Sequence, residues 1–134
     1  MERIEMRLRD GDCGIAVFAM ANNLTYEASL NFFNEHIFDE VKKVPLVLKS
    51  QMEMALNLYG TKFEKISHKK KWENLHGDFC IIDANKKKFL WHWIIYVPEE
   101  KYIIDPRQGK PDKVFNIENY WLWGPAFSIT RSNI

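Results

Sequence analysis

Three residues of the chain stand in contexts that suit nucleophilic chemistry at a carbonyl carbon: a cysteine, a histidine and an aspartate. The cysteine is Cys13, within Arg9-Asp10-Gly11-Asp12-Cys13-Gly14-Ile15-Ala16-Val17-Phe18-Ala19-Met20. A polar, glycine-containing turn precedes it and an apolar run follows. Asp10 and Asp12 suit the cap of a helix whose first turn carries Cys13, and Ala16, Ala19, Met20 and Ala21 favour that helix. The exposed N–H groups and dipole of a helix amino end stabilise a thiolate, whereas the charge of the adjacent Asp12 opposes ionisation. The competing assignment is a small buried hydrophobe at a helix start, the usual fate of a cysteine outside a disulfide.

A thiol nucleophile needs a base, and the base needs a partner that orients it. His92 lies in Phe89-Leu90-Trp91-His92-Trp93-Ile94-Ile95-Tyr96-Val97, an aromatic and β-branched run that reads as a strand. Alternation puts His92 on one face with Leu90, Ile94 and Tyr96, and Trp91, Trp93 and Ile95 on the other. Asp105 closes the following strand, Tyr102-Ile103-Ile104-Asp105, ahead of Pro106-Arg107-Gln108-Gly109. A tight turn at 98–100 pairs residues near 105 with residues near 93, so Asp105 is expected beside His92. A carboxylate there would fix the imidazole tautomer and stabilise the imidazolium. Taken singly, His92 reads as a hydrogen-bonded sheet histidine and Asp105 as an Asp-Pro turn former; together they read as base and orienter. His36, His68 and His76 fall at helix ends or in loops, with no carboxylate that the sequence places beside them.

The elements that must hold these residues follow from periodicity. After a charged and apolar lead-in over 1–9, the Cys13 helix is expected to run to Ala21 and stop at Asn22-Asn23. A second helix is expected from Thr25 to His36, with Tyr26, Ser29, Leu30 and Phe33 on one face. Ser50-Gln51-Met52-Glu53 has the form of a capping box with Leu48 as its staple, opening a helix that carries Met52, Leu56 and Tyr59 and ends at Gly60. Residues 61–77 read as a connection with one strand and one helical turn. Strands are then expected over 78–83, 89–97 and 101–105, with edge strands at 114–117 and 121–129, the latter broken by Gly124-Pro125. Helices first and strands second indicate an α+β domain.

Length and composition limit the function classes. The 134 residues suit one domain, and a hydrophobic content of 46% is ample for a packed interior. A net charge of +1 creates no field that would draw nucleic acid, and Lys69-Lys70-Lys71 and Lys86-Lys87-Lys88 fall at expected turns, where they read as solvated faces. Two cysteines, Cys13 and Cys80, make no disulfide framework, and the scattered histidines offer no metal-ligand spacing. No stretch reaches the roughly 20 apolar residues that cross a bilayer. No cofactor, metal, nucleic acid or membrane is expected, and a cytoplasmic location is.

In this order, Cys, His and Asp resemble a known family: the papain-like cysteine peptidases that trim double-glycine leader peptides from bacteriocins. The resemblance rests on Asp12-Cys13-Gly14-Ile15-Ala16 with Ala19-Met20, on the helix over 51–59 closed by Gly60, and on His92-Trp93-Ile94-Ile95 followed by Ile104-Asp105-Pro106 and Gly109. It covers residues 6 to 109, with order and spacing kept. It implies a single papain-like domain over 1–134, with amino-terminal helices packed on a carboxy-terminal antiparallel sheet. It also implies that Cys13 attacks an amide carbonyl of a protein or peptide, that His92 shuttles the proton and that Asp105 orients His92. A thioester intermediate and its hydrolysis follow.

The chain departs from that family at Arg7, where the family has a glutamine that donates to the oxyanion. Arg7 is the oxyanion candidate, with a longer fork that is aimed differently; the backbone N–H of Cys13 is the other donor. Gln51 and Gln108 lie elsewhere. Loss of a well-aimed donor costs about 10²–10³ in rate. Transporter-linked members carry the domain at the amino end of an exporter, whereas a free-standing peptidase is expected here. Two alternatives stay open: a transglutaminase- or deamidase-like enzyme acting on glutamine side chains, and a binding module that kept the fold without activity. Among the large aromatics Trp91, Trp93, Trp121 and Trp123, most are expected in the core and one or two as cleft walls. The segment Trp121-Leu122-Trp123-Gly124-Pro125 is a candidate surface for a protein partner.

Overall fold

A computed structural model describes residues 1–66, 71–85 and 92–131. They form two compact units, Met1–Thr61 with Pro106–Lys110, and Lys62–Asp105 with Pro111–Ile134. Helices lie in the first and an antiparallel sheet in the second, so the α+β class holds.

Helix α1, Cys13–Ala21, is apolar on every side and buried along its whole length, as a helix without a polar face must be. Asn22 ends it, donating both its backbone N–H and its side-chain amide to the Phe18 carbonyl. Helix α2, Tyr26–His36, starts at Thr25, whose hydroxyl accepts the Ala28 N–H at 3.1 Å. Of its expected face, Tyr26, Ser29 and Phe33 are buried and Leu30 is half-buried. The Ser29 hydroxyl donates to the Ile15 carbonyl of α1 at 2.8 Å. Phe18 packs its ring against Phe32, Phe33 and Tyr59, with centroids 5.4, 5.0 and 5.6 Å away.

Helix α3, Lys49–Tyr59, begins earlier than the Ser50…Glu53 box implies. Its cap is Leu48, and Gln51 reaches back to accept the Leu48 N–H at 2.8 Å. Leu48 is therefore the cap residue rather than a staple, and its side chain is exposed. Met52, Ala55 and Leu56 form the buried face, whereas Tyr59 is partly exposed over the Phe18 and Phe32 rings. Gly60 closes the helix in the left-handed conformation, as expected.

The second unit contains strands β1 (Glu64–Ile66), β2 (Phe79–Asn85), β3 (Trp93–Val97), β4 (Tyr102–Ile104) and β5 (Trp121–Ile129), in the order β1-β5-β2-β3-β4. All pairs are antiparallel. Short 3₁₀ turns lie at Trp72–Asn74 and Ile117–Asn119. Two expectations are corrected here. Residues 114–117 make no edge strand: Val114 forms a single bridge with Ile103, and the chain then turns. Residues 121–129 form a continuous strand at the interior of the sheet, between β1 and β2. Gly124 and Pro125 are accommodated because the register with β2 shifts between Ile82 and Ala84, which frees the ladder position that a proline cannot fill.

One face of the sheet packs Cys80, Ile82, Ile94, Tyr96, Ile103 and Ala126 together with Leu75 and Tyr120. On the sheet, Trp93 is fully buried and stacks on Phe127, 6.2 Å between centroids. His68, Phe89, Leu90, Trp91 and the second lysine cluster lie outside the described residues. Among the described residues no helix is long and apolar enough to cross a membrane.

Two glycines give a test of the turns. Gly60 and Gly77 both have positive φ, but a Cβ on Gly60 meets nothing within 4 Å, whereas one on Gly77 lies 2.5 Å from Ser128 Oγ and 3.0 Å from the Ile129 carbonyl oxygen. Gly60→Ala should cost about 1 kcal/mol from conformation alone. Gly77→Ala should cost about 2–4 kcal/mol, because overpacking is added to strain. Urea denaturation of both variants checks this, and equal costs would contradict the packing around Gly77.

Candidate functional site

The sequence-derived site residues fall in both units: Arg7 and Cys13 in the first, His92 and Asp105 in the second. Cys13 is the first residue of α1 and is buried. The first turn of α1 contains no acidic side chain, and Asp12 occupies the cap position without capping through its side chain. Instead, Asp12 Oδ2 accepts the backbone N–H groups of Arg7 at 2.9 Å and Leu8 at 3.1 Å, and the Tyr26 hydroxyl at 2.8 Å. The expected helix cap is thus a brace that ties the turn before Cys13 to the start of α2. Asp12 is fully buried, and its Oδ1 has no hydrogen-bond partner among the described residues.

The Arg7 guanidinium lies 4.4 Å from the centroid of the Tyr26 ring and forms an ion pair with Glu27. That bond holds the exposed Glu27 carboxyl below its ordinary range. Gln51 is engaged in the α3 cap, and Gln108 donates its amide to the carbonyls of Met6 at 3.2 Å and Arg7 at 3.3 Å.

His92 sits immediately before β3, where its carbonyl accepts the Ala84 N–H at 2.9 Å and its own N–H donates to Asp83 Oδ1 at 3.2 Å. The β3–β4 register, Ile95 opposite Ile104 and Val97 opposite Tyr102, carries Asp105 to the place expected for it. Nε2 of His92 and Oδ1 of Asp105 are 2.8 Å apart, and both side chains are buried. An ionised carboxylate only accepts, so in the neutral imidazole this bond assigns the proton to Nε2 and leaves the lone pair on Nδ1. Alternation sets both residues on the face that carries Ile94, Tyr96 and Ile103, as anticipated for His92.

Tyr120 completes this group and was not singled out by sequence. Its hydroxyl donates to Asp105 Oδ2 at 2.7 Å, so each carboxylate oxygen has a partner. A tyrosine at the junction of a 3₁₀ turn and a strand carries no local sequence signal for such a role. Asp83, the holder of the His92 N–H, was likewise missed. The other described histidines do have carboxylate neighbours, contrary to expectation: His36 lies 3.6 Å from Glu35 and His76 lies 3.3 Å from Glu64. Both pairs are exposed, where they contribute little.

An open groove of about 480 Å³ is lined by Trp72, Tyr120, Trp121 and Leu122 with Lys71, Glu73 and Glu118. Trp121 is exposed there, while Trp93 belongs to the buried interior. Among the described residues no three His, Cys, Asp or Glu side chains cluster to hold a metal ion. Comparison with known proteins finds no matching family model, no matching curated protein and no matching solved structure.

Cys80, in the sheet interior, donates its thiol to the His76 carbonyl at 3.2 Å, and burial pushes the thiol up to about 11. At about pH 8 its thiolate fraction is then near 10⁻³. Iodoacetamide should leave Cys80 unmodified in the folded protein and modify it after unfolding in urea; peptide mass mapping checks this. Tyr26 gives a second expectation. Burial, then the bond to Asp12, raise its phenol above the ordinary value of 10.0. The raised folded value favours the neutral phenol, so this stabilisation is fully present below pH 10 and is lost as pH rises beyond it. Urea midpoints should therefore fall more steeply above about pH 10 in the wild type than in Tyr26→Phe.

Proposed function

We propose that the chain is a cysteine peptidase of papain-like fold that cleaves an amide bond in a protein or peptide, with Cys13 as nucleophile, His92 as general base and acid, and Asp105 as orienter. The observation that supports this most directly is the buried His92–Asp105 bond of 2.8 Å, which leaves Nδ1 of the imidazole to exchange a proton. Cys13 at the start of a buried helix supports it independently, because a helix amino end favours a thiolate.

In this reading Nδ1 of His92 takes the thiol proton, and the Cys13 sulfur forms a bond to the substrate carbonyl carbon. The C–N bond then breaks as the imidazolium returns its proton to the leaving nitrogen. Water, deprotonated by His92, attacks the thioester and releases a carboxylic acid and the thiol. The oxyanion falls to the backbone N–H of Cys13, since the Arg7 guanidinium is held by Tyr26 and Glu27. The substrate is a protein or peptide, no cofactor enters these steps, and two cysteine thiols suit the reducing cytoplasm.

The test has two parts. Cys13 should react with a thiol-directed probe at neutral pH about tenfold or more faster than in His92→Ala, with Cys80→Ser as the common background. Digestion of a denatured protein mixture should yield new chain ends that vanish in Cys13→Ala and fall by about 10²–10⁴ in rate in His92→Ala. Deamidated glutamines in place of new ends would replace the peptidase with a deamidase. A Cys13 indifferent to His92 would remove the catalytic reading altogether.

A further inference from the structure

We propose that Tyr120 is the positioning residue of the His92–Asp105 pair: its hydroxyl locks the plane of the Asp105 carboxylate, which in turn keeps the imidazole proton on Nε2. An aspartate turns about its last torsion over a broad, two-fold profile, so the bond at Oδ1 alone leaves the carboxylate plane unfixed. The Tyr120 hydroxyl, 2.7 Å from Oδ2, supplies the second fixed point. A bond to an ionised acceptor in a water-poor setting is among the strong ones, and Asp105 is fully buried.

Tyr120 is itself rigidly placed. Its backbone N–H donates to the Ile117 carbonyl at 3.0 Å, closing the 3₁₀ turn, and its side chain is buried among Leu75, Ile94, Tyr96 and Ala126. The hydroxyl is thus delivered by a packed ring, at low entropic cost. Among the described residues, Asp105 meets the imidazole of His92 and Asp83 meets its backbone N–H. Asp83 holds the main chain of His92, whereas the Tyr120 hydroxyl meets the Asp105 carboxylate itself, at Oδ2. The consequence for turnover rests on the peptidase reading; the consequence for the imidazole does not.

The experiment uses the full chain with isotope-labelled histidine, read by NMR, in the wild type and in Tyr120→Phe, which removes only the hydroxyl. The wild type should show His92 as the Nε2-protonated tautomer with a slowly exchanging low-field proton. In Tyr120→Phe that proton should exchange with solvent about tenfold or more faster, while the amide resonances of β2 to β4 stay in place. Ring-fluorinated tyrosine at position 120 keeps the hydroxyl as a stronger donor, and should move the same proton resonance without disturbing the core. An unchanged His92 proton in both proteins overturns the proposal, as does a change spread evenly over the amides of all five strands. If wild-type Cys13 proves no more reactive than in His92→Ala, the peptidase reading fails while the imidazole signal still decides the role of Tyr120.

Discussion

Removing a carboxylate from water is costly unless its charge is met by hydrogen bonds. Asp105 meets that condition with the His92 imidazole on one oxygen and the Tyr120 phenol on the other. Much of the second unit can be understood as what is needed to keep these three groups in place. The β3–β4 register brings Asp105 up to His92, the Asp83 side chain holds the His92 backbone, and the 3₁₀ turn at Ile117–Asn119 sets the tyrosine at the right height. Were any of these displaced, a charge would be left in an interior that cannot solvate it.

The first unit solves a similar problem differently. Asp12 is as deeply buried as Asp105, yet three donors converge on a single oxygen. Two of them are backbone groups of the lead-in and one is a side chain of α2, so the carboxylate acts as a staple at the start of α1. This explains how Asp12 can be fully buried at the end of a turn whose other charged residues, Arg9 and Asp10, stay exposed.

Local chemistry made much of this readable in advance. The limits of α1 and α2 follow from Asn22, Thr25 and the apolar run, Ile15 to Ala21, ahead of Asn22. The approach of His92 and Asp105 follows from strand periodicity and a short turn. What could not be read depends on choices between equivalent local signals or on distant partners. Leu48/Gln51 and Ser50/Glu53 are overlapping cap spacings, and the selection is made by Gln51 meeting the Leu48 N–H. Gly124-Pro125 marks a break in any isolated strand; only the shifted register opposite β2 makes it compatible with an interior position. Tyr120 reaches a carboxylate fifteen residues away, and no short-range pattern records such a bond.

The interior place of β5 bears on how the second unit is born. β1 is made early but, among the described residues, pairs only with β5, and β2 pairs with β5 along most of its length. A nascent chain that has not yet reached residue 121 therefore has β1 without a sheet and one side of β2 bare. Unpaired strand edges are the surfaces through which incomplete chains associate wrongly. During synthesis the β2–β3–β4 meander can form locally, whereas the sheet as a whole must await its last strand. Chaperone demand and any co-translational aggregation should concentrate in that interval.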